Sequence, residues 1–164
     1  MVDLSHRMGQ INQREARIAE IAARQRRLIT LAQLRDVGLS RNAVAARCLS
    51  GRLHRLHAGV FALDPPPHER RQLWLSAVLA CGPRALLGDE PAALLQGLLS
   101  EGPALPQVTV PGQGGRQRPG IAVHRRLIDP RDIRRVDSIP CTSADRILVD
   151  LSPRLSEHEL EAIL

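Results

Sequence analysis

Two groups of residues in the first third of the chain could act on a nucleic acid. Arg41, Asn42 and Arg47 share a short stretch of helical period, and Arg52, His54, Arg55 and His57 follow where the pattern turns to alternation. A guanidinium is a rigid fork of donors that fits phosphate oxygens or the edge of a guanine. Arg41 or Asn42 on an outer helix face could therefore read base edges, while Arg52, His54, Arg55 and His57 could lie along a phosphate backbone.

The other constellations carry less. Asp89 with Glu90, and Asp145 with Asp150, are the carboxylate groupings that metal-assisted phosphoryl chemistry would use. Each has an ordinary reading: Asp89 as a helix cap, Asp145 in a favourable first turn, Asp150 paired with Arg146 four residues earlier. The loop from Pro111 to Gly115, with Arg116 and Arg118, could turn backbone N–H groups toward a phosphate. It lacks the lysine-serine ending of a P-loop and no helix follows it, so it reads as a hairpin loop. His54, His57, His68, His124 and His158 lack the spacing of a zinc helix, and no Gly-x-Ser-x-Gly elbow occurs. Cys81 or Cys141 would need a histidine brought near in space to act as a nucleophile. The residues point to no catalytic site, no metal and no cofactor.

The elements that must position the first two groups are legible. Thr30 can cap a helix from Leu31 to Val37, and Gly38 ends it by entering the left-handed conformation without steric cost. Ser40 caps a second helix whose inner face is Ala43, Val44 and Cys48, with Leu39 at the turn, leaving Arg41, Asn42, Ala45 and Arg47 mostly outward. After Gly51 the alternation of Leu53 to His57, then Ala58-Gly59, then Val60 to Leu63 predicts a hairpin. An earlier helix from Ile11 to Leu28 places Ile11, Ile18, Ile21, Ala22 and Leu28 on one face, after a loose start from Met1 to Gln10. Its arginines are either solvated or near a DNA backbone. Two helices, a glycine turn and a basic hairpin make a winged helix-turn-helix; the bland alternative is a small helical subdomain with a solvated basic hairpin.

Charge supports the first reading. Residues 1–63 hold eleven arginines against four acids, net +7, whereas residues 64–164 hold twelve arginines against thirteen acids, net −1. A basic part without a large aromatic and apolar face suggests nucleic acid before membrane. No run of about eighteen apolar residues and no secretory signal occur, so the expected location is the cytoplasm, with no membrane partner. Three scattered cysteines in apolar sequence read as reduced core thiols rather than a disulfide framework or a zinc site.

Asp64-Pro65-Pro66-Pro67 marks a stiff boundary, giving a first domain over 1–63 and a second over 68–164. The second reads as a helix from His68 to Cys81 with Leu73, Trp74, Ala77, Val78 and Cys81 inward, a short apolar run at Leu86-Leu87, and a helix from Glu90 to Leu99. Strands follow at Gln107 to Val110 and Gly120 to His124, expected to pair antiparallel, with a third over Ile133 to Ile139. A helix then begins at Thr142 or Ser143 with Ile147, Leu148 and Leu151 inward, and a last one near Ser156 carries Glu157, Glu159, Leu160 and Ile163. The chain stops inside that helix, as a piece of a longer protein would.

The succession "IAEIAARQRRLITLAQLRDVGLSRNAVAARCLSGRLHRLHAGVFAL", "WLSAVLACGPRALLGDEPAALLQGLL", "QVTVPG", "PGIAVHR" and "IPCTSADRILVDL" resembles the AbiEi-type antitoxins of type IV toxin-antitoxin systems. The resemblance spans roughly Ile18 to Leu164, most specifically in "SGRLHRLHAGVFAL" and "IPCTSADRILVDL". It implies an amino-terminal winged helix that binds operator DNA and represses its own operon, and a following α/β domain that helps neutralise a nucleotidyltransferase-like toxin. By position, it puts Arg41, Asn42 and Arg47 toward the groove and Arg52, His54, Arg55 and His57 on the wing. Relatives often carry a histidine-arginine-serine sequence where this chain has Gly88-Asp89-Glu90, and a tyrosine where Phe61 stands. The same beginning also precedes very-short-patch-repair-like endonuclease domains in actinobacterial proteins, so a targeting region of such a nuclease is the alternative, and a protein-interaction module without DNA binding is a third. The expected fold is α+β: a winged helix-turn-helix followed by a small α/β domain with a mostly antiparallel sheet. The expected partners are double-stranded DNA and such a toxin.

Overall fold

The computed structural model describes residues 4–65, 69–112 and 117–154, the side chains of residues 4–7 excepted. The expected last helix near Ser156, with Glu157, Glu159, Leu160 and Ile163, lies outside the described residues, as do Pro66, Pro67, His68, His158 and the Gly114-Gly115-Arg116 part of the loop. The fold is mixed α+β and divides into two compact units, residues 1–68 and 69–164.

In the first unit, α1 spans Leu4–Ala23, beginning earlier and ending sooner than the periodicity predicts. Its second half is anchored by Ile18 and Ala22, both buried, and helix propagates outward from such an anchor at little cost. Ile11, placed inward by the pattern, is exposed. The helix stops because Arg26 and Arg27 take left-handed backbone, φ 52° and 64°, after which Leu28 enters a strand. That strand, β1 (Leu28–Thr30), pairs antiparallel with β3 (Val60–Ala62), Leu28 opposite Ala62 and Ile29 opposite Phe61. Tertiary pairing of two fully buried residues overrides the helical period that runs through Leu28.

Thr30 ends β1 and caps α2 (Leu31–Asp36) through a capping box: its hydroxyl accepts from Gln33 N–H at 3.2 Å, and its own N–H donates to Gln33 Oε1 at 2.9 Å. Gly38 has φ 85°, and α3 (Arg41–Leu49) starts from the Ser40 cap. β2 (His54–His57) pairs with β3 with one extra residue between Arg55 and His57, so the three-stranded sheet runs β1-β3-β2. Ile18, Ile29, Leu34, Leu39, Val44, Leu53 and Phe61 form one apolar core beneath these elements.

The second unit consists of α4 (Arg70–Cys81), β4 (Leu86–Leu87), α5 (Asp89–Leu95), β5 (Gln107–Pro111), β6 (Ala122–Arg126), β7 (Ile133–Val136), β8 (Ile139–Thr142) and α6 (Ala144–Leu151). Its sheet is ordered β6-β5-β4-β8-β7 and is mixed, not mostly antiparallel. β5 and β6, expected to be antiparallel, run parallel with Gln107 opposite Ala122 and Pro111 opposite Arg126. The ten residues between them can span about 33 Å, twice the length of a five-residue strand, so the chain has room to return to the starting end. The expected strand over Ile133 to Ile139 is instead a hairpin, turned by Asp137 and Ser138 at φ 48° and 67°. Neighbouring residues in the central strands, Leu86 with Leu87, Val108 with Thr109 and Cys141 with Thr142, are all buried, so both faces of the sheet are covered. α4 is accordingly buried from Trp74 to Val78, with Leu75 inside and Leu73 exposed, the reverse of the pattern-based choice. α5 ends before Leu99 because Gly97 turns left-handed at φ 74° and Leu98 N–H donates back to Ala93.

Asp89 is not a cap. Gly88 occupies that position, and Asp89 begins the helix with φ 51° and no exposed surface. Arg126 grips its carboxylate through both terminal nitrogens, at 2.8 and 2.9 Å, and Arg154 also pairs with it. Arg126 further donates to Thr109 Oγ1 at 3.3 Å and to Asp150 at 3.2 Å, and the expected Arg146–Asp150 pair forms at 3.0 Å. Gly88 is required beside this cluster, since a Cβ there would lie 2.4 Å from Thr109 Oγ1. Burial raises the Asp89 carboxyl, but the hydrogen bonds and charge of Arg126, with the charges of His124 and Arg154, outweigh it and hold the group below its ordinary value.

A carboxylate depressed in the folded state adds stability that is complete above its unfolded pKa, about 3.9, and is lost as pH falls through the folded value. Asp89→Asn is expected to cost about 1.5–3 kcal/mol near neutrality, because it removes the charge that Arg126 grips with both terminal nitrogens and leaves Asp150 alone to balance that half-buried guanidinium, and to flatten the loss of stability on acidification. Trp74, the only tryptophan, lies buried in the same unit, so fluorescence-monitored urea unfolding at several pH values reads this directly. An unchanged acid limb in the variant would remove Asp89 from this role.

Candidate nucleic-acid interface

The turn between α2 and α3 is fixed from several directions. Gly38 N–H donates to Arg35 O at 2.8 Å, Leu39 N–H donates to Leu34 O at 2.9 Å, and the Leu39 side chain is buried in the core. A Cβ on Gly38 would come within 3.4 Å of the Arg14 guanidinium, which lies over the turn. With Val44 also buried, α3 is held in one rotation about its axis. Successive residues of a helix advance by about 100°, so the exposed side consists of Arg41, Asn42, Ala45, Ala46 and Leu49. The alanines keep this surface slim between the two polar side chains, and Leu49, 90% exposed, projects at its far end.

Arg47 is not on that face. It turns toward α1, where it pairs with Glu15, and its carbonyl accepts N–H bonds from Arg52 and Leu53 at 2.9 and 3.2 Å. The predicted outward set therefore loses Arg47 and gains Ala46 and Leu49.

The hairpin residues also separate. Arg52 is exposed, and its side chain, like those of Arg41 and Asn42, makes no ion pair or hydrogen bond to any described residue. Arg55 is exposed but stacks its guanidinium over Phe61, 5.6 Å from the ring centre, directly opposite in the β2–β3 register. His54 lies half-buried near Asp64, whose carboxyl is held below its ordinary value first by the Arg27 hydrogen bonds, against a smaller opposing effect of burial, and further by the charges of Arg27 and His54. His57 is half-buried at the turn, where Gly59 has φ 79°. Arg41, Asn42 and Arg52 are thus the free polar groups of the predicted set, while Arg47, His54 and Arg55 each have a neighbour within the unit. The Thr30-x-x-Gln33 spacing that closes the capping box, and the amide pair of Gln33 with Gln25 at 3.0 Å that supports it, could have been found from the capping signature.

Residues 16–63 match the family described as transcriptional regulator, AbiEi antitoxin. The matched stretch runs from within α1 to the residue after β3 and so takes in the whole core of the first unit. No curated protein matches the chain. A crystal structure of the RV2827C protein from Mycobacterium tuberculosis is similar at a TM-score of 0.49 and 19% identity, over 93% of this chain and 71% of that one.

Among the described residues, no group of three or more His, Cys, Asp or Glu side chains could hold a metal ion, and no helix is long and apolar enough to cross a membrane. Cys141 is buried and its thiol is pushed up to about 11 by that burial, which leaves it a poor nucleophile. His124 faces Asp89, on the opposite side of β6 from the Val123 and Arg125 side chains that approach Cys81.

The pairing of Arg47 sets it apart from Arg41 in an experiment. Arg47→Ala is expected to cost about 0.2–1 kcal/mol of stability, the range of a partly exposed ion pair, and to cost nothing further once Glu15 is alanine, whereas Arg41→Ala should leave stability unchanged. Fully additive losses for Arg47→Ala and Glu15→Ala in urea unfolding would remove the pair from this account.

Proposed function

We propose that the chain is a DNA-binding transcriptional regulator of the antitoxin type, with its first unit acting as a winged helix-turn-helix. α2, the Gly38 turn and α3 are the helix-turn-helix, and the β2–β3 hairpin is the wing. The observation that carries this reading is the exposed face of α3, where Arg41 and Asn42 stand free beside slim alanines while Val44 locks the opposite face into the core. The family match over the same residues supports it. Arg41 or Asn42 reads base edges in the major groove, and Arg52, with Arg55, His54 and His57 behind it, meets the phosphate backbone. In this reading the chain represses its own operon from the cytoplasm, catalyses no reaction, uses no cofactor, and engages a nucleotidyltransferase-like toxin through its second unit.

The test is an anisotropy titration against the DNA upstream of its own gene and a scrambled duplex, at two salt concentrations, with Arg41→Ala and Arg52→Ala alongside. Affinity should fall by about 0.9 log units per log salt for each phosphate neutralised. Arg41→Ala should cost about 1–3 kcal/mol on the upstream DNA and erase the preference, whereas Arg52→Ala should weaken both duplexes alike. Equal losses on both duplexes for both variants would sink the division of roles, and no binding at low salt would overturn the reading itself.

A further inference from the structure

The second unit holds a feature that regulation through the first does not use. Cys81, at the end of α4, together with Arg118, Val123 and Arg125, lines a cavity of about 140 Å³. Val123 and Arg125 lie two apart on β6 and so share a face, while His124 and Arg126, one residue on from each, point the other way, into the Asp89 cluster. Arg118 is brought to the same place by a tight turn: it bridges to Ile121, whose N–H donates to Arg118 O at 3.1 Å, with Gly120 at φ 76° and Ile121 buried beneath.

Both guanidinium groups are unusual for this unit. Arg118 and Arg125 are half-buried, yet neither makes an ion pair or hydrogen bond to any described residue. The half-buried arginines on the other side of β6 are fully engaged, Arg126 by Asp89 and Asp150, and Arg146 by Asp150 and the Leu127 carbonyl. Two partly desolvated positive charges facing one small space repel each other and lack the counter-charge that such burial normally requires. Burial raises the Cys81 thiol against the pull of both arginine charges, so the third polar wall is a neutral thiol and adds no negative charge.

We propose that this cavity binds a phosphate-type oxyanion, either inorganic phosphate or the terminal group of a small phosphate ester. Two guanidinium forks match the tetrahedral oxygens of such a group. The volume equals that of about four or five liquid waters and falls well below the roughly 300 Å³ at which pockets enclose a whole drug-sized molecule. It therefore takes the anionic head, and any remainder of an ester stays in solvent.

The experiment uses the full chain at fixed pH and ionic strength, exchanging chloride for inorganic phosphate. Two readouts are followed: thermal unfolding by Trp74 fluorescence, and the rate of iodoacetamide labelling at Cys81 by peptide mass, with Cys48 as internal reference. Phosphate should raise the Tm with the logarithm of its concentration and slow Cys81 labelling by about tenfold at about ten times Kd, leaving Cys48 unchanged. Arg118→Ala and Arg125→Ala should each abolish the Tm response, Arg70→Ala should retain it, and Arg125→Lys should weaken it by losing the fork while keeping the charge. A 5′-mononucleotide that protects more strongly than phosphate identifies an ester as the ligand; equal or weaker protection identifies the free ion. The labelling arm needs no variant to fold. Equal Tm responses in wild type and both alanine variants, or unprotected Cys81, would overturn the proposal. So would protection of Cys81 by duplex DNA with none by phosphate, which would make the cavity a nucleic-acid contact.

Discussion

A nine-residue helix can present only those side chains that its anchor leaves outside, and for α3 the anchor is Val44 seated among Ile18, Ile29, Leu34, Leu39, Leu53 and Phe61. The position of every other residue of α3 follows from the helical repeat once that contact is made. Arg41 and Asn42 fall outward, and Arg47, three residues beyond Val44, falls back over α1 beside Glu15. The capping hydrogen bonds of Thr30 and Ser40 and the left-handed Gly38 set where the two helices start, but the rotation of α3 is a packing matter. Loss of the apolar contact at Val44 would free the helix to turn and would disperse the surface that Arg41 and Asn42 share.

In the second unit the comparable constraint is the two-residue period of a strand. Arg125 and Arg126 are neighbours in sequence and of the same chemistry, yet β6 sends them to opposite faces. Arg126 meets Asp89 and Asp150 and becomes part of a satisfied buried network, which is why a carboxylate with no exposed surface stays charged. Arg125 meets a thiol and another arginine. The strained backbone at Asp89, φ 51° in a residue other than glycine, fits the same picture, because Arg126, Arg154 and His124 all face its carboxylate and together over-determine its position.

What could be read from the sequence follows the range of the interaction. The caps at Thr30 and Ser40, the turn at Gly38, the hairpin around Ala58-Gly59 and the inward Ile147 and Leu151 all depend on residues within a few positions of one another, and each stands where its local signal puts it, while the helix expected from Thr142 or Ser143 starts at Ala144 with Ser143 as its cap. Leu28 reads as helical because its partner Ala62 is thirty-four residues away, and a helical period cannot register a strand that forms only on arrival of its neighbour. The parallel pairing of β5 with β6 is invisible for the same reason: a loop rich in proline and glycine marks a reversal but does not say whether the chain turns back once or twice. Asp89 reads as a cap because its partners Arg126 and Arg154 lie thirty-seven and sixty-five residues on. Leu73 and Leu75 exchanged places because α4 is covered on more than one side, so a single apolar stripe was the wrong template for it.

Net positive charge is concentrated in the first unit, but the structure divides that charge into parts with different uses. Arg17 and Arg24 share Glu20, and Arg47 takes Glu15, whereas Arg14, Arg35, Arg41 and Arg52 make no pair with any described residue. Exposed pairs such as those on Glu20 contribute little to stability, so their arginines can leave the carboxylate at small cost. Arg27 cannot. Its backbone is left-handed, its carbonyl accepts Leu63 N–H at 3.0 Å, and its side chain holds Asp64 through Nε and Nη2 at 2.7 and 3.2 Å. It clasps the residue before β1 to the residues that leave β3, a link across thirty-seven residues that the local pairs on Glu20 do not make. The cations available to a polyanion are therefore fewer than composition implies, and they are those that no turn or strand already employs.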